Sequence, residues 1–132
     1  GATVKSSLIA DGCRIGSGAV IENSVVGVRC QIGNNVTIRN TVIMGADDYQ
    51  PPGEIVADTA AGRPLIGIGD GTLIDGAIVD KNCRIGRNVR IINERKLLES
   101  PETPQAVISD GIVVIPKGAV VPDGWSLSSS LA

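Results

Sequence analysis

The sequence predicts an all-β fold, a parallel β-helix of hexapeptide units and 17-residue coils, interrupted by two loop insertions. Three observations predict it. A phrase recurs: Cys13-Arg14-Ile15-Gly16, then Cys30-Gln31-Ile32-Gly33, then Cys83-Arg84-Ile85-Gly86. Aliphatic residues lead successive units at Ile9, Ile15, Ile21, Val26, Ile32, Ile38 and Ile43, in steps of 6, 6, 5, 6, 6 and 5. The 132 residues include 17 Gly but one Tyr, one Trp and no Phe. A core without aromatics is built from Val, Ile, Leu and small residues, in thin repeated layers.

The first stretch runs through Ile43. Two positions before each leading aliphatic stands a small or β-branched residue: Ser7, Cys13, Ala19, Ser24, Cys30, Val36 and Thr41. Residues two apart in a strand share a face. Each unit is therefore a short strand with two inward side chains, one large and one small. Gly, Asn and Asp fill the positions between, where the chain turns. In this frame the three cysteines are core filler, because a buried free Cys acts as a small hydrophobe. Cys13 and Cys30 fall in adjacent coils, close enough for an accidental disulfide on oxidation.

The rhythm breaks over Met44–Pro64, a polar stretch with three prolines and the only Tyr, read as a long loop near 45–64. Such loops are solvated excursions or interface elements. The rhythm resumes at Ile68, Ile74, Val79, Ile85 and Ile91. A second insertion covers 93–108, with Glu94–Ser100 suited to one short helical turn before Pro101. Ile115 and Val121 close the pattern, and 125–132 reads as a frayed or appended tail. One β-helix domain thus occupies 1–132, and its open ends require covering by a neighbouring domain or subunit. The pattern resembles the left-handed hexapeptide-repeat β-helix. The handedness comes from that resemblance, since ordinary parallel crossovers are right-handed.

Composition excludes several chemistries. There is no His, so a Ser-His or Cys-His nucleophile is impossible, as is a histidine metal site. The acyl transfer and three-His zinc chemistry of other hexapeptide β-helices are excluded as self-contained activities on the same ground. Three cysteines without CxxC spacing argue against a disulfide framework and for a reducing compartment. A net charge of -2 gives no nucleic-acid footprint, and no apolar run approaches the length of a membrane span. The glycines of Gly67–Gly71 belong to the hexad and not to a phosphate loop. The remaining candidates are cationic. Lys81 and Lys117 each lie two residues after a leading aliphatic, at corners, with Arg84, Arg87 and Arg90 adding charge beside Lys81. A sugar phosphate or similar anion could be held there by charge-assisted hydrogen bonds. The competing reading is a set of solvating side chains on a stiff scaffold.

Three stretches carry more than a generic repeat. "TVIMGADDYQ" (41–50), "PLIGIGDGTLIDGAIVDKNCRIGRNVRIIN" (64–93) and "GIVVIPKGAVVPDG" (111–124), in this order, resemble the C-terminal domain of ADP-glucose pyrophosphorylase (glucose-1-phosphate adenylyltransferase) of the plant and cyanobacterial type. The resemblance implies a parent nucleotidyltransferase that makes ADP-glucose and pyrophosphate from ATP and glucose 1-phosphate, for glycogen or starch. It implies that the catalytic N-terminal domain, with its Mg2+ and ATP sites, is absent from this chain, which holds no cofactor, metal or catalytic residue of its own. It implies a regulatory and oligomerisation role, with a phosphorylated effector bound by Lys81 and Lys117; the charge beside Lys81 makes Arg84 a third candidate for binding it. Ile-Pro-Lys-Gly departs from the family's usual stretch around the second lysine, and "VPDGWSLSSSLA" replaces its last strand. Expected partners are the catalytic domain, like or unlike subunits in a tetramer, and small phosphorylated effectors, with neither nucleic acid nor membrane. The expected compartment is the cytoplasm, or the plastid stroma in a plant. Two alternatives stand: a self-sufficient hexapeptide scaffold for a partner protein, and the same domain of another sugar-nucleotide pyrophosphorylase.

Overall fold

The computed structural model describes residues 1–131. Its first coil carries β1 (Thr3–Lys5), β2 (Leu8–Ile9) and β3 (Arg14–Ile15). The second carries β4 (Val20–Glu22), β5 (Val25–Val26) and β6 (Gln31–Ile32). The third carries β7 (Thr37–Arg39) and β8 (Val42–Ile43), then helix α1 (Pro52–Ala60), then β9 (Gly67–Ile68). The fourth carries β10 (Leu73–Asp75), β11 (Ala77–Val79) and β12 (Arg84–Ile85). The last carries β13 (Arg90–Ile92), an added strand β14 (Val107–Ser109), β15 (Ile112–Ile115) and β16 (Val120–Val121), followed by helix α2 (Leu127–Ser130). Equivalent strands stack in parallel into three walls: β1-β4-β7-β10-β13, β2-β5-β8-β11-β15 with β14 at its edge, and β3-β6-β9-β12-β16.

The register explains the repeat. Ile21, Ile38, Ile74 and Ile91 are successive partners in the first wall. Ile9, Val26, Ile43, Val79 and Ile115 are partners in the second. Ile15, Ile32, Ile68, Ile85 and Val121 are partners in the third. Every leading aliphatic thus enters one of three vertical columns about 4.8 Å per layer apart. Each fully buried one contributes about 1.5–3 kcal/mol. From the second coil onward these residues are buried, while Ile9, Cys13 and Ile15 of the first coil are only partly covered. A single coil has nothing above or below it, which is why the layers must form together. Polar residues in the small slot are satisfied locally. Thr72 Oγ1 donates to the carbonyl of Gly86 at 2.9 Å and accepts from the amide of Val89 at 3.1 Å, tying two coils together.

The glycine that ends each repeated phrase has a steric cause. Gly16, Gly33, Gly69 and Gly86 stack, and a Cβ on any of them would fall into the backbone of the next coil. The phrase is therefore a packing unit: a small inward residue, an outward polar one, a large inward aliphatic, and a glycine that lets the layers close.

Four expectations change. The first insertion is not only loop: Pro52–Ala60 is an α-helix, started by Pro at its first position with Glu54 in the first turn. The second insertion is not a solvated excursion, because Ala106 and Ile108 are fully buried under the last coil. Its helical turn over Glu94–Ser100 does not form. Asn93 instead closes the segment, accepting from the amide of Leu97 at 3.0 Å and donating to its carbonyl at 2.8 Å. The tail is not frayed: Leu127 of α2 is 2% exposed, Trp125 and Leu131 pack on the core, and Ser126 caps the helix. Ala132 lies outside the described residues. The lower end is thus covered by the chain itself. The upper end keeps β1 exposed throughout.

Candidate anion-binding corner

The corner between the second and third walls is a column of tight turns. It holds Gly12, Arg29, Asn82 and Gly118, all at positive φ. Asn and Gly tolerate this conformation at little cost, and the residue before each points outward. Lys81 and Lys117 are two of these outward residues. The amide of Gly118 donates to the carbonyl of Lys81 at 2.9 Å, which stacks the two turns directly. Two residues that are 36 apart in sequence therefore sit one coil apart on one edge.

A carboxylate is already present. Lys81 Nζ donates to Asp47 Oδ1 at 3.1 Å, with the two side chains 43% and 48% exposed. Asn82 Nδ2 donates to Asp47 Oδ2 at 3.0 Å, and Asn82 Oδ1 accepts from the Asp47 amide at 2.9 Å. Hydrogen bonds from Asn82 and then Lys81 hold the Asp47 carboxyl below its ordinary range, and the charge of Lys117 adds to this. Sequence spacing gave no sign of this contact. Asp47 meets Asn82 only because the first insertion starts at the corner one layer above Lys81.

The arginines do not gather beside Lys81. The coil carries Arg84 onto the third wall, Arg87 to the next corner, and Arg90 onto the first wall, where it pairs with Glu94. Arg84 faces α1. Its Nη1 donates to Asp58 Oδ2 at 2.6 Å and to the carbonyl of Pro64 at 3.1 Å, and its Nη2 donates to Glu54 Oε1 at 2.7 Å. Arg63 Nε and Gln50 Nε2 complete the shell around Asp58, which is 4% exposed. These donors, Arg84 first, push the Asp58 carboxyl down to about 2, and Asp58 in turn raises Arg84. Glu54 and Asp58 were not anticipated, although their four-residue spacing behind Pro52 places both on one helix face.

The cysteine thiols carry no chemistry of this kind. All three are free. Burial, with the neighbouring Cys13 second, raises Cys30 to about 12, and burial raises Cys83 to about 11. A thiol so far above neutrality is a poor nucleophile. Among the described residues no group of three or more His, Cys, Asp or Glu is arranged to hold a metal ion. No helix there is long and apolar enough to cross a membrane.

Residues 1–125 match the family model described as the GLGC left-handed parallel beta-helix domain. That match covers all five coils and supplies their left-handed sense.

Proposed function

We propose, for a chain that belongs to the ADP-glucose pyrophosphorylase family as its left-handed parallel β-helix domain, a regulatory and assembly role in an enzyme that makes ADP-glucose from ATP and glucose 1-phosphate. The observation that carries the regulatory half is the stacking of Lys81 and Lys117 on one corner, one coil apart. Two ammonium groups at that spacing can share the oxygens of one phosphoryl group through charge-assisted hydrogen bonds. The backbone hydrogen bond between the two turns fixes where the two side chains start. Binding that favours one arrangement of this domain against its catalytic partner would couple to turnover, typically by about 1–3 kcal/mol.

The assembly half is supported by the second wall. Leu8, Val25, Val42 and Ile78 are register partners on its outer face, and all four are exposed. A continuous ladder of outward aliphatics is costly in water and suits a face covered by another domain or subunit. Arg84 serves in this reading mainly as the anchor of α1, since two carboxylates already occupy its guanidinium.

The test uses the enzyme carrying this domain. Lys81→Gln and Lys117→Gln should each raise the concentration of phosphorylated effector needed for half-maximal response by about tenfold, the loss of one charge-assisted hydrogen bond. Lys5→Gln, on the exposed first strand, is the control. An unchanged response in both variants would discard the corner as the effector site.

A further inference from the structure

We propose that Asp47 is a tethered counter-anion that occupies the Lys81–Asn82 donors in the unliganded corner and must be displaced by an incoming oxyanion. The inference rests on the anion-binding reading of Lys81 and Lys117, and it assigns that corner its built-in competitor.

The geometry carries it. Each oxygen of the Asp47 carboxylate has one donor from the coil below, Lys81 on Oδ1 and Asn82 on Oδ2. Two donors on two oxygens is how a free carboxylate or phosphoryl group would be held, so Asp47 already fills the place of a ligand. Its position is not that of a chance surface rotamer. The preceding residue is pinned on both sides, the Ala46 amide donating to the carbonyl of Val28 at 2.9 Å and the Ala46 carbonyl accepting from Arg29 Nε at 2.9 Å. Just beyond, Tyr49 Oη donates to the carbonyl of Gly12 at 3.0 Å, and Gln50 accepts from the amide of Ile66 at 2.7 Å. The chain on either side of Asp47 is therefore anchored, by the backbone of Ala46 before it and by the side chains of Tyr49 and Gln50 after it. Only its side chain is free to swing.

Two consequences follow from the charges. A half-exposed ion pair is weak, so Asp47 can be pushed aside. It remains tethered near the site, however, and its charge opposes any anion that replaces it. A monoanion gains little by exchanging with a carboxylate of the same charge. A dianion such as phosphate gains more from the two lysines. Asp47 thus lowers affinity for all anions, a repulsive element built into the corner, while any preference for the more highly charged ones comes from the lysines.

The experiment is a calorimetric titration of the enzyme carrying this domain with inorganic phosphate, at low ionic strength. Asp47→Asn keeps the shape and removes the charge, and Asp47→Ala removes both. Both variants should bind phosphate about three- to tenfold more tightly than the parent, the effect of removing one nearby like charge at a solvated site. In a Lys81→Gln background the gain should shrink. Melting temperature measured alongside confirms that each variant is folded. If the parent binds phosphate in a Lys81-dependent way and neither Asp47 variant binds more tightly, the counter-anion role is overturned and the anion site stands. If no Lys81-dependent binding exists in the parent or in either Asp47 variant, both fall.

Discussion

The first insertion lies against the outside of a wall, and the second closes the end of the β-helix, although both add the same length. Register partners that are 17 residues apart in uninterrupted coils are 36 apart across each insertion, from Ile43 to Val79 and from Val79 to Ile115, so each adds 19. Their attachments are opposite in kind. In α1 only Asp58 is buried, and the helix is held through Arg84, Arg63 and Gln50. The second insertion buries Ala106 and Ile108, and its β14 pairs antiparallel with β15. One is fixed by charges and the other by apolar burial. The first is therefore free to carry a functional side chain such as Asp47 at its root, while the second is part of what makes the last coil stable.

The strongest way to break this comparison is Ile108→Ala. Ile108 is fully buried beneath the final layer. Removing its side chain should cost about 2–5 kcal/mol, the usual range for a buried Ile or Leu cut to Ala. The loss should appear as a lower midpoint in denaturant for the whole β-helix, because the terminal coil loses its cover. A cost near zero would return the second insertion to a surface loop.

Arg84→Gln should have a smaller and more local effect. It removes two ion pairs from α1 but no inward side chain from the core. Hydrogen exchange of the amides of residues 55–62 should speed up by about tenfold or more, as for a segment that opens locally without global unfolding. Amides of the buried strands, such as those at Ile74 and Ile91, should keep their protection. Equal acceleration in both places would mean that α1 is integral to the fold.

The sequence was legible where geometry repeats and opaque where it does not. Each leading aliphatic from Ile9 to Val121 takes an inward column, because one spacing serves five layers. α1 was missed because a nine-residue helix in a polar, proline-rich stretch offers little apolar periodicity. Its start signal, Pro52 followed by Glu54, was present all the same. The β14–β15 hairpin also has a signal in the sequence. Asp110-Gly111, both at positive φ, is the two-residue turn that most strongly marks a hairpin. Its first strand is only three residues long and follows a proline- and charge-rich stretch, so it shows no alternating pattern of its own. At the corner, Lys81 and Lys117 were readable as turn residues. Asp47 was not, because its contact depends on which layer the insertion leaves.

The last prediction separates the two insertions by pH. Asp58 has its carboxyl lowered from 3.8 to about 2 by Arg84, Arg63 and Gln50. A depressed carboxylate contributes stability that is fully present above its unfolded value and lost as pH falls toward its folded one. The support that Asp58 gives α1 is therefore complete at neutral pH and lost between about 4 and 2. Ala106 and Ile108 have nothing to titrate. As pH is lowered through this window, exchange protection in α1, corrected for the intrinsic pH dependence of exchange, should fall first. That of Ile108 and Val113 should persist until the whole β-helix unfolds. Asp58→Asn should show weakened protection of α1 already at pH 7. If protection in the two insertions fell together, charge would not be what distinguishes their attachment.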